Sequence, residues 1–316
     1  MRLFTAAGSR PVLLALRALK LGDLLVAVPA LHGLRRAFPD HELVLAVPGW
    51  LQPIAELIPG VDALLPTPGL DDLLPLPPGA VDVAVNLHGN GPESRAIIDA
   101  LQPRLRIVHR SASDPDGVPW LDGILERWRW ARLVSGYGAE ADADEVRIDV
   151  PERAPLVAGA AVVHVGAFYG SRAWPVERFA EVVRALQQDG ATVVITGGPA
   201  DRERADAVGR LAGLDDELVR AGRDDLVDLA ALIAHASVLV SVDTGAAHLA
   251  SAYGTPSTIV FGPASPEEWG PPPGPHVVLT DARLRKGDTF SSEPDPALLA
   301  VTADQVIEAA LRVRRG

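Results

Sequence analysis

Short apolar runs that stop at polar or glycine-containing turns recur along the chain, and most are followed by a stretch with apolar residues every three or four positions. Runs of that length read as strands buried on both faces, and the stretches behind them as helices lying on the sheet. In the first half, Val12–Leu16, Glu42–Val47 and the segments 63–65, 81–87 and 105–108 are predicted strands. Leu25, Val28, Leu31, Leu34 and Phe38 share one face of a helix that Pro39 closes; shorter helices are predicted over 50–58 and 93–101. Trp120, Ile124, Trp128 and Ala131 fall at helical spacing and predict an amphipathic helix over 120–134, its aromatic side chains in the core. Residues 66–79, with five prolines, read as an irregular connection.

Periodicity disappears between 135 and 160, where an acidic run (140–145) precedes Pro151 and Pro155. Such composition suits a linker, so a domain boundary is expected near residue 150, with domains 1–150 and 151–316. The pattern then resumes. Strands are predicted at 161–165, 191–196, near 218–220, at Val238–Val242 and at 257–261, with helices at Val176–Gln188, 202–211, 226–235, after Gly245 and at 303–313. Alternating strands and helices in both halves make the fold class α/β, with an open parallel sheet in each.

Composition narrows the function. The chain has 316 residues, long enough for two ordinary domains, and 48% hydrophobic residues, too many for general disorder. A net charge of −12 argues against a nucleic-acid partner, whose phosphates require a concentrated basic face. With no cysteine, disulfides, thiolate catalysis and cysteine-ligated zinc are excluded, and a cytoplasmic location fits. The apolar stretch Val12–Leu16 is too short for a signal-peptide core, and no run approaches the roughly 18 apolar residues of a spanning helix. Peripheral attachment to a membrane stays open.

The candidate chemistry lies in turns at the carboxyl ends of predicted strands, where an open parallel sheet binds ligands and where helix N-termini offer N–H groups to anions. Asp243-Thr244-Gly245 follows one strand, with His248 one helical turn on; Asp243 or Thr244 as a plain helix cap and His248 as a structural histidine are the competing readings. Arg172, between a strand and a helix and among glycines, reads as a fork of donors for phosphate or as a surface arginine. Asp201, beyond Gly197-Gly198, suits a ribose hydroxyl or a helix cap, and Asp23 sits in a first helical turn, where a carboxylate favours the helix dipole. His88-Gly89-Asn90-Gly91 also ends a strand and reads as a crevice lining or a solvated turn.

Four segments in order, Lys20-Leu21-Gly22-Asp23-Leu24 with Pro29-Ala30-Leu31, Arg172-Ala173-Trp174-Pro175, Val242-Asp243-Thr244-Gly245-Ala246-Ala247-His248, and Phe261-Gly262-Pro263-Ala264-Ser265-Pro266, resemble glycosyltransferase family nine, the group that includes the ADP-heptose lipopolysaccharide heptosyltransferases. The resemblance implies a GT-B fold, two Rossmann-like domains facing across a cleft, with the first on the acceptor side and the second binding a nucleotide-sugar donor. It implies inverting transfer with no metal and no cofactor. Asp23 would be the general base. Arg172 stands where family members carry a lysine on the donor phosphates; Asp243, Thr244, Gly245 and His248 match the donor-side motif, Asp201 falls toward the ribose and Asp224 toward the base pocket.

Where the family has hydroxyl residues before that lysine, this chain has Ala167, Phe168 and Tyr169, which leaves Ser171 and backbone N–H groups to meet the phosphates; Gly22, Gly166 and Gly170 would bring backbone to the cleft. The donor sugar and base, an ADP-heptose among them, and the acceptor, whether glycan, lipid-linked or a small glycoside, stay open. Two other classes are alternatives: a nucleotide-binding oxidoreductase, disfavoured because Arg17 to Asp23 holds one glycine and no G-x-G-x-x-G, and a non-catalytic nucleotide-sugar binding protein.

Overall fold

The computed structural model describes residues 1–5 and 8–316. The chain divides into two units, Met1–Asp149 and Val150–Gly316. In unit 1 the strands are β1 (Arg2–Leu3), β2 (Val12–Leu16), β3 (Glu42–Val47), β4 (Ala63–Pro66), β5 (Val83–Asn86) and β6 (Leu105–Ile107), with helices α1 (Leu21–Val26), α2 (Val28–Ala37), α3 (Gln52–Ala55), α4 (Pro92–Ala100) and α5 (Glu126–Ser135). All strand pairs are parallel, in the order β1-β4-β3-β2-β5-β6. The last four residues of β2 and the last five of β3 are wholly buried, as expected where helices cover both faces of a parallel sheet.

Unit 2 holds β7 (Ala161–His164), β8 (Val193–Thr196), β9 (Val238–Val242), β10 (Ser257–Val260) and β11 (His276–Leu279), and helices α6 (Val176–Gln188), α7 (Arg202–Ala212), α8 (Leu226–Ala234), α9 (Gly245–Tyr253), α10 (Pro266–Trp269), α11 (Pro296–Leu299) and α12 (Ala303–Arg315). Its sheet is parallel in the order β11-β10-β9-β7-β8. Among the described residues, no helix is long and apolar enough to cross a membrane.

Four expectations are corrected. The helix after Asp23 is two helices broken at Ala27, because Pro29 has no N–H to give and its ring crowds the preceding turn; α2 restarts with that proline in its first turn. The helix expected over 120–134 starts only at Glu126, after an extended Leu125. Its core aromatic is Trp130, 1% exposed, whereas Trp128 is 55% exposed. The reason is local. Val118 pairs with His109, and the Trp120 ring stands edge-on to His109 with Arg129 over its face, so 117–125 is anchored as a loop and the helical face is set by later residues. The strand near 218–220 is a single bridge, Val219 to Ile195. Finally, β11 adds an edge strand beyond the last strand predicted, 257–261, because its backbone pairs with β10.

Candidate functional site

In both units the chain leaves a central strand to one side and returns on the other. In unit 1 this reversal lies between β2 and β5, and in unit 2 between β7 and β9. Neighbouring connections there diverge from the carboxyl ends of the two strands and leave a crevice, the usual ligand position of an open parallel sheet. The predicted site residues are found mainly at these two places.

At the unit 1 reversal, Leu16 of β2 stands opposite Asn86 of β5. Arg17 continues the ladder by donating its N–H to Ala46 (2.9 Å), and its side chain turns inward, 1% exposed. Its Nε donates to the Asp23 carbonyl (2.8 Å) and its Nη1 to the Leu87 carbonyl, so one guanidinium ties the turn after β2 to the turn after β5. The Trp130 ring lies 4.6 Å from it. Burial pulls the Arg17 pKa down, opposed by the charges of Asp23 and Glu126.

Asp23, third in α1, receives the Lys20 N–H on Oδ2 (3.2 Å), while Oδ1 lies 3.5 Å from Arg17 Nη2. A quarter of its side chain is exposed. The helix-stabilising contact and access to solvent therefore coexist in one carboxylate. Gly22, beside it, is half-buried in the same first turn.

The loop after β5 folds on Asn86, whose Oδ1 accepts from the His88 N–H (3.1 Å) and whose Nδ2 donates to Ser94 (3.0 Å). Burial, followed by the nearby Arg17 charge, lowers the His88 pKa to about 4, so the ring is neutral at pH 7. Arg17 and Glu126 were not singled out as functional residues from sequence, whereas His88 lies in the turn read there as a crevice lining or a solvated turn. Of the first two, only Arg17 had a local signal, a cation set directly on the end of a buried strand; Glu126 comes from a helix about 100 residues away and is found only by folding.

At the unit 2 reversal, His164 of β7 stands opposite Ser241 of β9. The turn after β7 carries Arg172, and Trp174 fixes the end of that turn: it is fully buried, donates Nε1 to the Val301 carbonyl (3.1 Å) and stands edge-on to Phe179. The turn after β9 carries Asp243, 7% exposed, with its N–H on Val260 (3.2 Å). Arg172 Nε lies 3.3 Å from Asp243 Oδ2, and His248 Nε2 lies 3.9 Å from Asp243 Oδ1. The pair engages Nε, and a guanidinium has four further N–H donors on its terminal nitrogens.

Thr244 occupies the N-cap of α9 without a side-chain cap hydrogen bond; its hydroxyl lies 3.1 Å from Ser241 Oγ instead. Gly245 follows as the first residue of α9. Arg172, Asp243, Thr244, Gly245 and His248 are thus one cluster.

The remaining candidates are placed differently. Ser171 is fully buried and donates to the Thr289 carbonyl (2.8 Å), with its own backbone bonded to Ser291 and Asp295. Expected at the donor phosphates, this hydroxyl instead holds the 286–295 loop against the turn. The same approach explains Gly170, where a Cβ would stand 1.8 Å from the Ser292 carbonyl oxygen. Gly166 leaves room for His164 and Asp201, whose atoms would lie 2.5 and 3.0 Å from a Cβ there. Asp201 takes the Gly198 N–H on Oδ2 (2.8 Å) and the Ala167 N–H on Oδ1 (3.2 Å), clamping the turn after β8 to the turn after β7. Asp224 accepts from Arg220 at 2.5 and 2.8 Å. Asp201 and Asp224 therefore belong to the β8 side of the crevice, one strand away from the Arg172–Asp243 pair.

The profile described as glycosyltransferase family 9 (heptosyltransferase) matches residues 124–293, just over half of the chain. Lipopolysaccharide heptosyltransferase 2 of Salmonella typhimurium is 30% identical over 155 residues, which span 45% of this chain but only 43% of that enzyme. Lipopolysaccharide heptosyltransferase 2 of Escherichia coli is 24% identical over 348 aligned positions, spanning 91% of this chain and 94% of that enzyme. The solved structure of the E. coli ADP-heptose lps heptosyltransferase II has a TM-score of 0.75 to this chain at 20% identity, covering 96% of this chain and 98% of that one. At that identity the likeness concerns the fold, which is α/β of the GT-B type with two Rossmann-like units.

Proposed function

Because the chain belongs to glycosyltransferase family 9, we propose that it transfers a sugar from a nucleotide diphosphate donor to an acceptor hydroxyl, with inversion at the anomeric carbon and without a metal. The donor assigned first is an ADP-heptose, since the solved relative is named for that compound. Unit 1 would bind the acceptor and unit 2 the donor, with the boundary between the two domains near residue 150.

In this reading Asp23 accepts the proton of the attacking hydroxyl, a contribution typically worth about 10² to 10⁴ in rate. Departure of the nucleoside diphosphate builds negative charge on its phosphates. Arg172 and the first turn of α9 stabilise that charge, in the manner of other anion sites at helix N-termini. Asp243 holds Arg172 in place, and His248 and Thr244 complete the wall behind it. Asp201 and Asp224 shape the β8 side, where the nucleoside would lie. The observation that supports this most directly is the placement of a part-exposed carboxylate and a part-exposed guanidinium at the strand-order reversals of the two sheets.

The test is a thermal-shift panel of nucleoside diphosphates and their sugars, since a ligand that binds the native state raises the melting temperature. It is followed by product analysis with each stabilising donor and a set of glycan, glycolipid and small glycoside acceptors, with and without EDTA. A stabilising ADP-sugar, a product of inverted anomeric configuration and indifference to EDTA are expected. Stabilisation by nucleotide with no transfer to any acceptor and no donor hydrolysis would mark a binding protein instead.

A further inference from the structure

We infer that Arg17 is a positioning residue for transfer: it sets the place and orientation of the Asp23 carboxylate by locking together the two turns of the unit 1 crevice. The inference rests on the reading of Asp23 as general base. Arg17 directly follows β2 and donates its N–H to Ala46 of β3, so its backbone is fixed by the sheet rather than by the loop that follows. Its Nε and Nη1 each hold a backbone carbonyl, one from the turn bearing Asp23 and the other from the turn bearing His88. The remaining nitrogen, Nη2, has no hydrogen-bond partner, is buried, and stands 3.5 Å from Asp23 Oδ1 and 4.0 Å from Glu126 Oε2.

Glu126 is itself held by Arg129 Nε at 2.7 Å, giving a line of alternating charge, Asp23, Arg17, Glu126, Arg129. A buried guanidinium in such a line cannot follow the motions of a loop. The Trp130 ring closes one side of it. The carboxylate is therefore fixed from two directions, by the Lys20 N–H on Oδ2 and by the Arg17 charge on Oδ1, while its exposed quarter remains open to an incoming hydroxyl. Catalytic groups lose rate steeply when displaced by about 1 Å, so a rigid anchor of this kind acts on turnover and not on donor affinity.

The experiment compares wild type, R17K, R17M and D23N by crystallography and by steady-state kinetics. In R17M the Asp23 carboxylate is expected to leave its place beside the Lys20 N–H, and kcat to fall on the order of 10²-fold with the donor KM within about twofold of wild type. R17K retains the charge but not the planar fork onto two carbonyls, and should recover part of kcat. If R17M does not fold, R17K alone decides, with a displaced carboxylate and a lowered kcat at unchanged donor KM. An unmoved carboxylate with kcat within about twofold of wild type overturns the inference. So does a loss of kcat matched by a rising donor KM without displacement, which is what a purely structural arginine produces. If D23N transfers as fast as wild type, or wild type transfers nothing, the general-base reading fails; the position of the carboxylate in the Arg17 variants still decides whether Arg17 sets it.

Discussion

At the end of β2 a buried cation, Arg17, stands against a carboxylate that is 25% exposed; at the start of α9 a carboxylate 7% exposed, Asp243, stands against a guanidinium that is 20% exposed. The two crevices use the same device with the signs exchanged. An ion taken out of water needs an opposite charge and hydrogen bonds close by, and removing the partner of a buried ion is strongly destabilising. In each unit the buried ion is therefore tied to the sheet, and the outer ion inherits its position. The exchange of sign suits different chemistry: an outer carboxylate has lone pairs for a proton, and an outer guanidinium has donors for phosphate.

The largest expected effect tests the outer ion of unit 1. Asp23→Asn should lower transfer by about 10² to 10⁴ while calorimetry with the nucleoside diphosphate gives an unchanged Kd. Full activity in this variant would remove the base assignment. Next comes the outer ion of unit 2. Arg172→Ala should weaken nucleoside diphosphate binding by about 10- to 100-fold, the value of hydrogen bonds to a charged group, and Arg172→Lys by less. Equal Kd values for wild type and Arg172→Ala would break the comparison on that side.

A smaller effect separates the glycines of the two crevices. A Cβ at Gly170 meets the Ser292 carbonyl, whereas one at Gly89 meets nothing within 4 Å. Gly170→Ala should cost about 1–3 kcal/mol of stability and loosen the Ser171-held loop, with Gly89→Ala near neutral in thermal unfolding. Similar melting temperatures for the two variants would contradict the close approach.

The smallest effect is one the two units share. Burial lowers the pKa of His88 and His109 in unit 1 and of His164 in unit 2 to about 4, from an ordinary 6.5. Between those values the unfolded chain binds protons that the folded chain does not. Stability is therefore fully present above pH 6.5 and lost as the pH falls toward 4. Urea unfolding at pH 7, 6 and 5 should show the decline, and His164→Asn should flatten part of it; a flat profile in wild type would count against neutral buried rings.

Much of the architecture was legible in the residues. The strands Val12–Leu16, Glu42–Val47 and Val238–Val242 announce themselves because strands covered on both faces are continuous apolar runs. Asp23, Arg172 and Asp243 were legible as candidates because turns at strand ends mix glycine with charge. The α5 start was not, since Trp120 and Ile124 keep helical spacing inside a loop held by His109 and Arg129. The inward turn of Ser171 was equally hidden, because its partner Thr289 is 118 residues away.

By itself the sequence determined the alternation of strand and helix, the family, and which turns carry charge, because these follow from local periodicity and from residues close together in the chain. Only the tertiary structure decided which ion of each pair is buried, that Arg17 binds the turns after β2 and β5, and that Asp201 clamps two loops. Those facts depend on strand order and on contacts between distant segments, where burial sets the energy of a charge and spacing along the chain carries no record of it.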